Sequence, residues 1–281
     1  MKKIAIGLLC LFIVLLTSDS DVLLGLSGKT DILPETVLEM QTMQELPRGI
    51  TGTGLCYWET KSCFLIGNIG KETPADNSGF HSSIVMVGAT FEEIQGEPCD
   101  LAKIYPAMQT IQGITLDGED IIWYCSQEEG LVRSLSWKDG REPWPPIKIP
   151  MVSGIAWDET DDTLWAVSLE GGGMLYNIKK DGTTLLKYRM NLPVGNPDHI
   201  FVDGENQILY VTADVSYNES NLIFAVDLNS FAVIKKYTVE GSYAIEGLLI
   251  DTANNMLYVL NDGHYHDAKI PKNTVNIYRF E

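Results

Sequence analysis

A small set of side chains has the types needed for cation-assisted chemistry: Asp198, His199, Glu246, Asn68 and Asn261. Asp198 and Glu246 offer anionic oxygens, and Asn68 and Asn261 offer neutral carbonyl oxygens. Such a set suits a hard cation, above all Ca²⁺. His199 adds an imidazole that can exchange a proton near neutral pH. The expected arrangement is a cation held by Glu246, Asp198, Asn68 and Asn261, with Asp198 and His199 as the catalytic pair. The plainer alternative is that these groups satisfy strand-end backbone and ordered water. His81, His264 and His266 fall in loop segments, where exposed imidazoles without catalytic duty are expected. A transition-metal site made from His199, His264 and His266 is the competing arrangement.

These residues are spread over nearly two hundred positions, and an internal repeat is what groups them. The repeat is a small or polar residue, an apolar run, a polar turn, and a second apolar run. Its copies open at Gly54, Gly113, Gly154, His199 and Gly247, so successive starts lie about 41 to 59 residues apart, the period of a propeller blade. Second strands contain Phe64, Trp123, Trp165, Tyr210 and Tyr258. Third strands are expected at 83–87, 131–137, 174–178, 222–226 and 274–280, and fourth strands at 101–105, 147–149, 184–189 and 231–238. The chain is therefore expected to be all-β, a propeller of five blades of four antiparallel strands, with six blades as the alternative. The last repeat lacks an outer strand, and residues 36–43 are expected to supply it and close the ring. In such a ring the inner strands start at one channel mouth and the second strands return to it. That places Thr53, Gln112, Ser153, Asp198 and Glu246 beside Asn68, Ser126, Ser168, Asp214, Asn261 and Asp262. The recurring Trp123, Trp165, Tyr210 and Tyr258 are expected to be packing between blades.

Composition narrows the partners. The 281 residues carry 38 acidic against 20 basic side chains, a net charge of −18. Phosphate backbones and anionic membranes would be repelled, so nucleic acid is excluded as a partner, and no membrane contact is expected beyond the leader. Residues 1–20 read as a secretory signal: Lys2 and Lys3, an apolar stretch, then small and polar residues. One domain over 21–281 is expected, monomeric, in a secreted, periplasmic or extracellular location. In an oxidising compartment, Cys56 and Cys63 flank one hairpin turn and could form a disulfide, with buried free thiols as the other reading.

Several catalytic signatures are absent: no GxSxG elbow, HExxH helix, phosphate-binding loop or EF-hand loop occurs. The stretch Gly195-Asn196-Pro197-Asp198-His199-Ile200, running on to Leu209-Tyr210-Val211, resembles the senescence marker protein/gluconolactonase/luciferin-regenerating-enzyme family. Ser153-Gly154-Ile155 is similar to a second segment of that family, and Glu246-Gly247 to its Glu-Gly metal ligand. SdiA-regulated and esterase-like phytase propellers share the Glu-Gly-Leu opening. The resemblance implies a divalent cation, usually Ca²⁺, polarising a lactone or ester carbonyl, with an acidic residue activating water. It implies Asp198 as metal ligand or base and Glu246 as metal ligand. His199 stands where that family has glycine, and Ser153 where it has an asparagine ligand. The expected function is a secreted lactonase or esterase. The alternative is a non-catalytic propeller binding a glycan, peptide or partner protein through loops 69–82 and 214–221.

Overall fold

Short apolar runs punctuated by Gly, Asp and Asn become strands, and the strands fall into five sheets arranged as blades. The computed structural model describes residues 33–280, apart from 74, 76–78, 107, 109 and 119. The leader expected at 1–20 lies outside the described residues. Two N-terminal strands, β1 (Glu35–Leu38) and β2 (Met40–Glu45), precede the blades. Blade one is β3 (Gly52–Trp58), β4 (Cys63–Asn68), β5 (Ser83–Val87) and β6 (Cys99–Asp100), followed by α1 (Leu101–Ile104). Blade two is β7 (Ile114–Leu116), β8 (Ile121–Ser126), β9 (Leu131–Ser136) and β10 (Ile147–Lys148). Blade three is β11 (Val152–Asp158), β12 (Thr163–Ser168), β13 (Met174–Ile178) and β14 (Thr184–Arg189). Blade four is β15 (Asn196–Asp203), β16 (Ile208–Asp214), β17 (Leu222–Asp227) and β18 (Val233–Val239). Blade five holds β19 (Ile245–Asp251), β20 (Met256–Asp262) and β21 (Asn273–Arg279). The five-bladed expectation holds, and the six-bladed alternative does not.

The N-terminus closes the ring with more economy than expected. β2 pairs antiparallel with β21, Met43 opposite Asn276 and Glu45 opposite Thr274, and so supplies the missing outer strand of blade five. Residues 36–43 are nevertheless not one strand. β1 runs parallel to β18 on the outside of blade four, Thr36 opposite Tyr237. The chain crosses between blades at Leu38 and Glu39, where buried Leu38 packs with Tyr210, Tyr237 and Phe280. One segment thus covers two sheet edges that would otherwise be open. A second difference is local. Residues 101–105, expected as a strand, form α1, because the Asp100 carboxylate caps it by accepting from Lys103 N at 3.2 Å. Blade one's outer strand is reduced to two residues.

The aromatic at the start of each second strand does pack between blades. Trp123, Trp165 and Tyr210 are buried, and Tyr258 is half-buried with its ring centroid 5.2 Å from that of Phe64. The indoles of Trp123 and Trp165 donate to Asp117 and Asp158 at the ends of the inner strands of their own blades. Cys56, Cys63, Cys99 and Cys125 are free thiols, so the Cys56–Cys63 disulfide is not formed. The hairpin register explains it. The connection Glu59–Lys61 plus Ser62, at φ 51°, puts Cys56 opposite Leu65 and Cys63 opposite Trp58, a diagonal rather than a facing pair. Among the described residues no helix is long and apolar enough to cross a membrane.

Candidate functional site

The inner strands share a device at one end. The β3–β4, β11–β12, β15–β16 and β19–β20 ladders each skip register at their mouth end: between Gly52 and Gly54, Val152 and Gly154, Pro197 and Ile200, and Ile245 and Gly247. A bulge bends the strand and re-aims a side chain. The bulged residues include Thr53, Ser153, Asp198, His199 and Glu246. In blades one and three the bulge hydroxyl bonds the neighbouring blade: Thr53 Oγ1 donates to Ile111 O at 2.6 Å, and Ser153 Oγ to Asp198 O at 3.0 Å. In blades four and five it carries the ionisable groups.

Inner strands touch at this point. A Cβ on Gly154 would lie 2.4 Å from Asp198 O and 2.8 Å from the His199 Cα, so only glycine lets blade three seat the blade-four bulge. His199 occupies the repeat position held by glycine in the other four blades. Its backbone N donates to Thr212 Oγ1 at 2.8 Å, and its imidazole turns toward blade five. There His199 Nε2 lies 3.3 Å from Glu246 Oε2 and 3.7 Å from Asp198 Oδ2.

Glu246 also faces a second imidazole. Its Oε1 is 3.5 Å from His266 Nε2, and that nitrogen is 3.3 Å from Asp262 Oδ2. Residues 262–268 form a tight turn in which Tyr265 N donates to Asp262 O, returning His266 over the mouth. The His266 ring stacks on Tyr217, with centroids 4.2 Å apart and planes at 16°. Glu246, His199 and Asp262 are all buried. The Asp262 Oδ1 atom is buried with no hydrogen-bond partner among the described residues.

Electrostatics follow from this crowding. Burial opposes the Glu246 charge, but hydrogen bonds from His199 and His266 outweigh it and hold its carboxyl down at about 2. Burial, then repulsion from Glu246, pushes the Asp262 carboxyl up to about 8. Burial alone would lower His266, yet its hydrogen bonds to Asp262 and Glu246 carry it up to about 10. Beside the cluster lies a cavity of about 320 Å³. Asp198, Glu246, Asp262 and His266 line it on one side, with Thr53, Gln112, Asn196, Ile69, Phe80 and Leu169 elsewhere on its wall.

The expected site is thus assembled in part. Asp198, His199 and Glu246 converge, whereas Asn68 serves elsewhere and the Asn261 side chain is hydrogen-bonded to none of the three. Asn68 Oδ1 accepts from Thr51 N and Gly70 N, and its amide donates to Ser83 Oγ, so that carbonyl is spent on the strand end. Asn261 donates its amide to Val259 O, its Oδ1 is buried without a hydrogen-bond partner among the described residues, and it is not among the residues lining the cavity. His199 is buried and is likewise not among the cavity-lining residues. Of the His199/His264/His266 set, His199 and His266 face opposite oxygens of Glu246, while His264 is exposed and stands outside both clusters. His266, expected to be an idle loop residue, and Asp262, expected only as a strand end, are the partners missed. Their four-residue separation was the available signal, since one helical turn juxtaposes such side chains.

No protein-family model and no curated protein sequence matches the chain. Solved structures do share its backbone. A glutaminyl cyclase of Myxococcus xanthus superposes with a TM-score of 0.62 at 10% identity, over 88% of this chain and 98% of that one. A luciferin-regenerating enzyme gives 0.57 at 11% identity, over 85% and 95%. A chain of a nidogen/laminin complex gives 0.53 at 13% identity, over 82% and 85%. Likeness at these identities establishes the β-propeller fold, the one implied by the sequence resemblance. Two enzymes and a chain of a nidogen/laminin complex share it, so the fold does not select the activity.

Proposed function

We propose that the chain is an exported hydrolase of small neutral lactones or esters that uses a divalent ion held by Asp198, His199 and Glu246. The spacing around Glu246 is the supporting observation. Charge-assisted hydrogen bonds between imidazole and carboxylate run at about 2.7–2.9 Å. The contacts here are 3.3–3.7 Å. Ligands bound at about 2.0–2.2 Å to one ion stand roughly 3.0–3.5 Å from one another, which fits these separations better. Two carboxylates and an imidazole also suit an ion of the Mn²⁺, Fe²⁺ or Zn²⁺ kind more than Ca²⁺, whose expected carboxamide ligand Asn68 is already committed. Such an ion supplies Lewis-acid polarisation of the scissile carbonyl.

The protein residues do the rest. Asp198 lines the cavity, and its carboxylate orients the attacking water and accepts its proton. Buried His199 and Glu246 fix that carboxylate's neighbourhood rather than exchanging protons with substrate. Gln112 and Asn196 hydrogen-bond substrate hydroxyls, while Ile69, Phe80 and Leu169 pack its carbon faces. A cavity of about 320 Å³ with Glu128 on its wall favours a small, uncharged substrate over an anion. Asp198→Asn keeps size and removes both the base and one anionic ligand of the ion. It is expected to abolish metal-dependent hydrolysis of lactones and aryl esters, by about 10²-fold or more, with an unchanged melting temperature. Wild-type protein with no bound divalent ion, no turnover and no loss of stability in chelator would instead favour the glycan- or protein-binding propeller.

A further inference from the structure

Glu246 stands between two ligand sets. Asp198 Oδ2, His199 Nε2 and Glu246 Oε2 form one, and Asp262 Oδ2, His266 Nε2 and Glu246 Oε1 the other. Within each set the donor atoms all lie within 4.8 Å of one another. We propose that Glu246 bridges two divalent ions, one oxygen to each, so that the channel mouth holds a dinuclear centre. The first ion is the one invoked for hydrolysis, and the proposal rests on that reading. The second, held by Asp262 and His266, is new.

Three observations point to a second ion rather than a hydrogen-bonded pair. First, the His266–Asp262 and His266–Glu246 separations, 3.3 and 3.5 Å, are close to the 3.3 and 3.7 Å of the first set. Both match the edge of a coordination polyhedron. Second, Asp262 is only 1% exposed, lines the cavity, and has Oδ1 without a hydrogen-bond partner among the described residues. Its Oδ2 faces His266, and the unpartnered Oδ1 is an oxygen that a bound ion or its water would satisfy. Third, three carboxylates and two imidazoles, all of them groups able to ligate a divalent cation, converge around Glu246. A bridging carboxylate sets its ions about 3.5–4 Å apart, the separation at which two metals clamp the attacking and leaving oxygens of a hydrolysis. Tyr217 stacks on the His266 ring and would hold that ligand in register.

The test is stoichiometry, read on the full chain stripped with chelator and dialysed against Mn²⁺. Two Mn²⁺ per chain, with an exchange-coupled electron paramagnetic resonance spectrum, are expected of the wild type. His266→Gln and Asp262→Asn should each retain one ion with the six-line spectrum of isolated Mn²⁺. Asp198→Asn should also fall to one, with the survivor on the other face. A wild type that binds a single uncoupled ion, or that keeps its full content in both His266→Gln and Asp262→Asn, overturns the dinuclear centre and leaves the hydrolase reading standing. No bound Mn²⁺ in the wild type overturns both. Circular-dichroism melts of each variant identify a loss due to unfolding, and His266, on a loop, is the substitution least able to cause it.

Discussion

One buried carboxylate reaching two imidazoles leaves no conservative replacement that preserves both contacts. Glu246→Gln turns one oxygen into a donor facing a histidine nitrogen. Its Mn²⁺ affinity should fall by more than the roughly 10–100-fold typical of losing an outer-shell partner. Equilibrium dialysis measures this, and near-wild-type affinity would remove Glu246 from the centre. How visible each residue was in sequence depends on its backbone. Glu246 and Asp198 were legible because inner-strand starts recur at a fixed place in the repeat. His199 was doubly so, standing where Gly54, Gly113, Gly154 and Gly247 stand elsewhere. Asn68 misled because an amide at a strand end can cap backbone or bind an ion, and type alone does not distinguish the two. His266 was hidden because its position depends on the 262–268 turn, which has no strand periodicity.

At the level of elements, the repeated bulge turns a propeller's ordinary inner strands into a site. It is inconspicuous in sequence, since an extra residue shows only as a slip between apolar alternation and the glycine that follows. Gly154 makes the contact between blades three and four possible. Gly154→Ala forces either blade three or the Asp198–His199 bulge to move. A stability loss of about 1–3 kcal/mol is expected from such overpacking, together with a weaker affinity for divalent ion. Urea unfolding and dialysis on the same sample measure the pair of effects. Full stability with full affinity would show that the bulge tolerates displacement. The fourth strands were the least legible elements, because outer strands are short and half-solvated, and in blade one residues 101–104, capped by Asp100, form a helix instead.

For the molecule as a whole, the repeat made the five-bladed ring legible, as it did the pairing of the N-terminal segment with β21. The added parallel strand on blade four was not legible, because β1 and β2 form one continuous stretch of mixed residues whose break at Glu39 is set by tertiary contacts. The folded protein also fixes a pH signature for the metal-free state. Asp262 is raised from 3.8 to about 8, and His266 from 6.5 to about 10. Each binds more protons folded than unfolded inside its window, so its stabilising contribution declines as pH rises through that window. Chelated protein should therefore melt lower at pH 9 than at pH 6, with a slope of up to about 1.4 kcal/mol per pH unit for each proton released. A flat or rising profile would contradict the coupling of these groups. The most direct measurement is anomalous diffraction from crystals grown with Mn²⁺ or Zn²⁺. A peak roughly 2.0–2.2 Å from both His199 Nε2 and Glu246 is the predicted result. No peak at the channel mouth, or a peak ligated by Asn68 and Asn261 instead, would contradict it.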